Sequence, residues 1–537
     1  ATSLTTVAQT ALESLMAELG IPGHCTVIVA PLEDSADRWL KLRMADRECH
    51  YPDDLLQEVY CYVTGSVFLP TLTLKHLQRL PAEQWRLFLQ LTLDSIGKLQ
   101  PAHLFSLQAA AAYRTAISPH AQTPLPEATE IHAILSDVLN LRLSLADQAL
   151  VARTLVDSAV NNLSRLDTTE AVIAALGPRP IEIHLPTTYW QQLMADISDS
   201  DKDLFRQLRE GLWYELGLEL PPLQFVPDDT LMPESFAFRL NHLLTLPRKG
   251  LAKGQWLVNN TPDHLRLQNI ESTMALHPAN RTVAAVVSTA ERAKVQDSQL
   301  WSPLGYLTLA LSESLRTQAG VFLNSNLASA QLDLLRQSCS LLVVDAENRY
   351  SIGILTQTFR HLLAETISLR NMRRILQALV DCDWVIADET ELIVFDPRLT
   401  TPSIPPADWM QQPMVLASAI RTNLKQYISY KYARGQASLL VYLLEPKIEK
   451  SLTAPVASPD QTKPTASEEQ IIAAVQKELE ALPSVATIPA ILTTTSVRAK
   501  LRQILAPGFP RLPILAYQEL SSDVSVQAIA RITLSEP

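Results

Sequence analysis

"AETISLRNMRRILQALVD", residues 364–381, is the stretch on which the reading of the whole chain turns. Its apolar residues recur at helical spacing, so Leu369, Met372, Ile375, Leu376, Leu379 and Val380 are expected on one buried face, with Ser368 placed to cap the helix. Arg370, Arg373 and Arg374 then fall on or beside the exposed face. Three arginines near a helix N-terminus oppose the helix macrodipole, so they are expected to answer carboxylates from elsewhere. Those carboxylates belong either to the same subunit, in a salt-bridged helix, or to a neighbouring subunit or partner protein. "NLRLSLADQALVARTLVD", residues 140–157, reads as a worn copy: Ser144-Leu145 and Leu155-Val156-Asp157 match Ser368-Leu369 and Leu379-Val380-Asp381.

The likeness extends outward. "LESLMAELGIPGHCTVIVAP" and "REGLWYELGLELPPLQFVP" share a Leu-x-x-Glu-Leu-Gly helix ending, Leu15–Gly20 and Leu212–Gly217, each followed by proline and an expected strand. "LTLDSIGKLQ" at 91 and "LTLALSESLR" at 307 follow in the same order. Residues 1–176 therefore read as a degenerate, shortened copy of residues 181–381. Within the copy, residues 1–70 read as mixed α/β: a helix over 5–19, strands at "CTVIVAP" and "RWLKLRM", and a helix at "DDLLQEVYCYV". Residues 71–176 read as helical.

"GPRP", residues 177–180, reads as the domain boundary. Beyond it, 181–300 reads as α/β subdomains, with strands at "IEIHL", "LQFVP" and "FAFRLNHL" and a helix at "DLFRQLREGLWYELG". A helical subdomain spans 301–385, and a helix and strand segment 386–448. Residues 449–470, "EKSLTAPVASPDQTKPTASEEQ", are rich in Pro, Ser and Thr and read as a flexible connector. A C-terminal αβαββ unit occupies 471–537. The fold class is thus α+β, multidomain.

The chain has 537 residues, too many for one core, and three to five compact units are expected. A hydrophobic fraction of 47% supplies real cores, and a net charge of −11 argues against a nucleic-acid partner. Protein partners are expected instead. The five cysteines, Cys25, Cys49, Cys61, Cys339 and Cys382, are scattered without a CxxC pair and fit a reducing cytoplasm. No apolar run approaches the roughly 18 to 20 residues that cross a bilayer, and the first residues lack the basic flank of a signal peptide. Direct membrane insertion and export are therefore not expected.

Catalytic signatures are absent: no phosphate-cradling glycine loop, no HExxH and no GxSxG. Neither a cofactor nor a metal is expected. "ECHYPDD", residues 48–54, holds Cys49, His50 and two aspartates, but adjacent residues on a strand point apart, so Asp53 is read as a cap for the next helix.

"ISLRNMRRILQAL" resembles the V-S-I-R-D-L-R-x-I-L-E-A-L signature of the FHIPEP family, the large export-gate protein of flagellar and virulence type III secretion systems. "LREGLWYELGLELPP", "LVYLLEPKIE" and "SVRAKLRQIL…LPILAYQELSSDVSVQAIARI" resemble further family segments in the family's order, with Arg498, Tyr517 and Glu519 on matching positions. The resemblance covers residues 181–537. It implies four small cytoplasmic subdomains that assemble as a ring beneath an export channel and receive secretion substrates and their chaperones. Two departures stand out. The apparent partial copy takes the place of the family's membrane half, and the family's T-H-L-S-E appears as Leu309-Ala310-Leu311-Ser312-Glu313, which puts chaperone docking of the flagellar kind in doubt. Asn371 also replaces the signature Asp, whereas the first copy keeps an acid at Asp147.

The leading expectation is a non-enzymatic, ring-forming docking component of a type III export apparatus. It would be a homo-oligomer, cytoplasmic or held at the inner membrane through partners such as other export-apparatus components. Its expected interface residues are Arg370, Arg373 and Arg374. The alternative is a soluble adaptor or scaffold derived from the same family that binds proteins without forming a ring.

Overall fold

The Leu-x-x-Glu-Leu-Gly endings do close helices, and the reason is backbone geometry. Both Gly20 and Gly217 adopt φ 70°, the left-handed conformation that ends a helix and that glycine enters without a Cβ penalty. The helix before the first, Thr2–Glu18, packs on the helix Ala82–Leu99; the helix before the second, Leu204–Leu216, packs on Pro303–Thr317. A computed structural model describes residues 2–29, 40, 42–44, 47–49, 51–52, 54–66, 68–69, 72–121, 124–195, 203–279, 282–295, 298–381, 384–388, 391–394, 412–453, 466–480 and 489–534. Two compact units emerge, Ala1–Asn326 and Leu327–Pro537, so the expected boundary at 177–180 lies inside the first.

In the first unit, residues 1–176 are chiefly helical. Their large apolar cluster joins the helices Leu107–Ile117, Ala128–Asn140, Gln148–Val160 and Arg165–Leu176 around Tyr113, Ile134, Leu135, Val151 and Leu155. The strand expected at "CTVIVAP" is not formed over 24–29, where Ile28 is 87% exposed. An alternating apolar run becomes a strand only where a neighbour takes its backbone hydrogen bonds, and no described strand pairs with it there. Leu42–Met44 and Arg47–Cys49 do form a short antiparallel ladder. Asp53 and His50 lie outside the described residues; the N-cap of the helix Leu55–Thr64 is Asp54, which makes no side-chain capping bond to that helix.

Residues 181–301 form two sheets. In the first, Ile181–Leu185 pairs in parallel with Leu223–Pro227 and antiparallel with Ser235–Leu240, which turns at Asn241–His242 into Leu243–Leu244. The second is antiparallel, in the order Leu300–Trp301, Gln255–Val258, Val283–Ser288, Thr273–Leu276.

The second unit carries the helix Ile352–Ala364, the arginine helix Met372–Val380, and the pair Pro413–Asn423 and Lys425–Ala433. Its C-terminal sheet is parallel, in the order Ile514–Ala516, Ala490–Thr493, Ser438–Leu444, Ser525–Ile532. The inner strand Ser438–Leu444 precedes residues 449–470 in sequence, so the C-terminal unit draws on chain before the span 471–537. Helices Pro446–Thr453 and Glu468–Glu480 take both ends of the expected connector, and its residues 454–465 lie outside those described.

Local geometry recurs between the two halves at a constant spacing of 224 residues, as 128 to 352, 142 to 366 and 147 to 371 show. Helix Ala128–Asn140 corresponds to Ile352–Ala364 end for end. Arg142 (φ 60°) and Thr366 (φ 56°) are both left-handed, and Asp147 and Asn371 both cap the following helix by accepting from Leu150 N and Arg374 N. Farther out, Glu18 and Glu215 of the two Glu-Leu-Gly endings pair with Lys98 (3.6 Å) and Arg316 (2.8 Å), each near the end of the partner helix.

Gly20 sits against the turn it faces: a Cβ there would lie 2.3 Å from Ala146 N, whereas one on Gly65, also at φ 70°, meets nothing within 4 Å. Gly65→Ala is therefore expected to cost only the left-handed penalty, about 1–2 kcal/mol. Gly20→Ala should cost clearly more, because backbone must move. Urea unfolding of the two variants checks this, and equal losses would remove the close approach as a constraint.

Candidate interaction surface

The chain reverses between Ile352–Ala364 and Met372–Val380 through a turn whose left-handed residue, Thr366, leaves backbone groups without helical partners. Side chains of the helix Lys425–Ala433 and its approach supply them. Tyr432 Oη donates to Glu365 O (3.2 Å), Lys431 Nζ to Thr366 O and to Thr366 Oγ1 (2.7 Å), and Ser368 N donates to Tyr427 Oη (3.4 Å). The earlier turn offers the same three backbone groups to different partners. Asn241 Nδ2 donates to Leu141 O (2.8 Å), His242 N to Arg142 O (3.0 Å), and Ser144 N donates to His242 Nδ1 (3.2 Å). Burial, with Arg179 and Arg239 nearby, lowers the His242 pKa and so keeps Nδ1 free to accept.

Below the later turn lies a buried ion network. Arg421 grips Glu519 with Nε and Nη2 (2.7 and 2.6 Å) and reaches Glu365 at 3.2 Å. Arg498 grips Glu365 with Nη1 (2.8 and 2.7 Å) and reaches Glu519 at 3.1 Å. Both guanidiniums and the Glu519 carboxylate are essentially inaccessible to water. Two cations and two anions share the site, so each charge has a counter-charge and the desolvation cost is offset. Burial alone would raise the Glu365 carboxyl, but Arg421 and Arg498 outweigh it and hold the pKa down at about 2. The network ties the end of Ile352–Ala364 to Pro413–Asn423, to Thr495–Leu505 and to the turn at Tyr517–Glu519.

On this clamped base stands the arginine helix. Leu369, Met372, Ile375, Leu376 and Leu379 are buried as expected, while Val380 is only half-buried. The cap differs from expectation: Asn371 Oδ1 accepts from Arg374 N (3.3 Å), and Ser368 Oγ instead accepts from Arg370 N (3.3 Å), because the left-handed turn delays the helix start to Met372. Arg370, Arg373 and Arg374 are exposed, and Arg373 and Arg374 make no ion pair with a described residue. The carboxylates expected from the sequence are thus not met by these two within the described chain. The result is a fixed, electropositive helix start, its three side-chain charges adding to the positive end of the macrodipole.

Sequence reasoning noted Arg498 and Glu519 only as matching positions and missed Arg421 and Glu365 altogether. Glu365 stands immediately before the left-handed residue, but nothing local marks a glutamate as buried. Tyr517, noted with them, is 50% exposed. Among the described residues no three His, Cys, Asp or Glu side chains converge as metal ligands, and no helix is long and apolar enough to cross a membrane.

The chain is built of small α/β and helical subdomains, and a buried arginine–glutamate network fastens the elements of its second unit. The FHIPEP family profile matches residues 156–525, and the chain belongs to that family. Low calcium response locus protein D of Yersinia pestis is 25% identical over 389 residues, covering 71% of this chain and 51% of that protein. Flagellar biosynthesis protein FlhA of Bacillus subtilis is 24% identical over 389 residues, with 69% and 52% covered. The chain thus spans about half the length of these curated relatives. Among solved structures, the Chlamydia pneumoniae CdsV protein matches with a TM-score of 0.55 and 22% identity over 66% of this chain and 98% of its own. CdsV in a complex with the CdsO protein matches with a TM-score of 0.54 and 21% identity, covering 66% and 98%. Over the matched two-thirds of this chain, the mixed α/β architecture is therefore that of CdsV.

Glu519→Gln keeps the shape of the network but leaves two buried guanidiniums sharing one carboxylate, and should cost about 3–5 kcal/mol. Acid should act in the same direction. Glu365 has a folded pKa depressed from 4.5 to about 2, so its contribution is complete above 4.5 and is lost as pH falls toward 2. Denaturant titrations of the wild type and the variant from pH 7 to 2 measure both effects; an E519Q protein as stable as the wild type would remove the network as the keystone of this unit.

Proposed function

We propose that this chain is a non-enzymatic docking and ring-forming component of a type III protein export apparatus, working on the cytoplasmic side of the membrane. Family membership and the names of its relatives support the setting. In this reading Arg370, Arg373 and Arg374 are the contact residues, meeting acidic side chains of a neighbouring subunit or of an incoming protein. Secretion substrates, their chaperones and other export-apparatus components are the partner classes, and any membrane-spanning portion of the apparatus lies outside the residues described.

One observation carries the assignment of the arginines. Residues 1–176 are read as a partial duplicate of 181–381, and the duplicate builds the same turn and the same capped helix with Ala146, Ala149 and Leu150 at the positions of Arg370, Arg373 and Arg374. The arginines are therefore dispensable for folding this motif. Arg373 and Arg374, exposed and without an ion pair to a described residue, are best explained by something outside the subunit, and Arg370 stands beside them at the same helix start.

The test is the triple replacement R370A/R373A/R374A. Folding stability should change little, since exposed charges contribute about 0–1 kcal/mol. Removing each charge-assisted bond from an interface should cost roughly 1.5–3 kcal/mol of association. Sedimentation over a range of concentrations should show a shift toward monomer, and added salt should imitate it in the unmodified protein. An unchanged oligomer distribution at every concentration and salt level would return this helix to a purely structural role.

A further inference from the structure

The parallel sheet of the second unit ends on an open edge. Among the described residues its outermost strand, Ser525–Ile532, pairs with Ser438–Leu444 alone, and residues 525–529 are exposed, Val526 at 42% and Ile529 at 47%. The opposite edge strand, Ile514–Ala516, is three residues long and buried. Ser525 N donates to Ala437 O (2.9 Å), and successive residues of a strand turn their backbone groups to opposite sides. Ser525 and Gln527 therefore face Ser438–Leu444, while the N–H and C=O of Val526 and Ala528 face outward, where no described residue takes them. Native sheets blunt such an edge with charge, proline, brevity or a bulge. This strand runs for eight residues without proline and carries Arg531 as its one charge. Its register skips Ile529, since Val441 pairs with Ala528 and Tyr442 with Ala530, but that irregularity lies beyond the two outward-facing residues.

We propose that this edge is a self-association site whose occupant is the same strand of a second copy, paired antiparallel about Gln527. Backbone and charge together set the register. In an antiparallel ladder, hydrogen bonds are exchanged only between residues that turn outward on both chains. Setting Val526 opposite Ala528 meets that condition twice, once on each side of a two-fold axis through the two Gln527 residues. The same register carries Arg531 of each copy to the end where Asp523 of the other stands. Both side chains are exposed; Asp523 accepts from Ser521 Oγ (2.9 Å), and Arg531 makes no ion pair with a described residue. Moving the axis by one residue, to Val526 or to Ala528, keeps the backbone match there but separates Arg531 from Asp523, so the charges select Gln527. The contact is isologous and closes at two chains. One pair of strand edges covers less than the roughly 1,200 Å² of a standard interface, so it is weak alone and gains strength between copies already held together. It does not depend on the arginine helix or on the ring-forming reading.

The test uses full-length chains. Gln527→Cys sets one thiol of each copy across the two-fold axis, at a non-hydrogen-bonded position where paired Cα atoms lie about 4.5 Å apart, within disulfide reach. Mild oxidation should give a covalent dimer well above the background of the wild-type cysteines. Ala528→Cys, which this register sets opposite Val526, should cross-link poorly. Val526→Pro removes only an outward N–H, which an edge strand tolerates, and added to Q527C it should lower cross-linking about tenfold through the loss of two symmetric hydrogen bonds. Asp523→Arg and Arg531→Asp each put like charges at both ends and should weaken self-association about three- to tenfold by sedimentation. An equimolar mixture of these two variants meets with opposite charges at both ends, and it should form a heterodimer that neither forms alone. A Q527C chain that cross-links no more than wild type at any concentration leaves the edge to some other strand and overturns the proposal. Equal cross-linking by Q527C and A528C overturns it too, as does cross-linking indifferent to both charge reversals. Cross-linking that persists in R370A/R373A/R374A supports this contact apart from the arginine reading. Cross-linking lost with the arginines but untouched by D523R overturns this contact and leaves the arginines as the joint.

Discussion

A left-handed residue between two helices breaks the regular pairing of the backbone, and the groups it strands must be met or the reversal does not hold. This constraint governs both halves of the chain. At Leu141–Ser144 the stranded groups are met by a β-turn, through Asn241 and His242; at Glu365–Ser368 they are met by the side chains of Tyr427, Lys431 and Tyr432. The first solution takes backbone groups alone, whereas in the second Lys431 also takes the Thr366 hydroxyl. At the geometrically matching positions the residues differ: Arg370 answers to Ala146, and Glu365 to Leu141.

The second turn carries charge. Glu365, next to the left-handed residue, is drawn into the network with Arg421, Arg498 and Glu519, so the same short segment that reverses the chain also fastens the helical part of the second unit to its parallel sheet. A network with two charges of each sign is fully compensated, and it fixes geometry more strictly than an apolar contact, because displacement of one member exposes a buried charge. The arginine helix is thereby presented on a rigid base. Pre-organisation of this kind lowers the entropy that a binding surface loses when it meets a partner.

Much of this was legible in the sequence. The period of 369–380 gave the buried face of the arginine helix, and the Glu-Leu-Gly endings gave two helix stops, since glycine after a helical run is the usual left-handed residue. The spacing of "SL" and "LVD" in 140–157 and 364–381 gave the correspondence of the two turns. Where sequence reasoning went astray, the deciding term was non-local. Ser368 has the chemistry of a cap, but the position of the turn passes that role to Asn371. "CTVIVAP" alternates as a strand should, yet no described partner strand lies beside it.

What the sequence by itself determined is therefore what depends on near neighbours: helix faces, helix ends, and family membership through motifs in a fixed order. What only the tertiary structure decided is which distant groups meet. Arg421 and Glu519 are far apart in the chain and become partners only because Pro413–Asn423 packs against the turn Tyr517–Glu519. The Asn241–His242 turn likewise meets Leu141–Ser144 across residues 177–180, which look in sequence like a clean break but lie inside one compact unit. Local propensity acts over a few residues, whereas burial and charge pairing act through space, so the fold's fastenings stay hidden until the chain has folded.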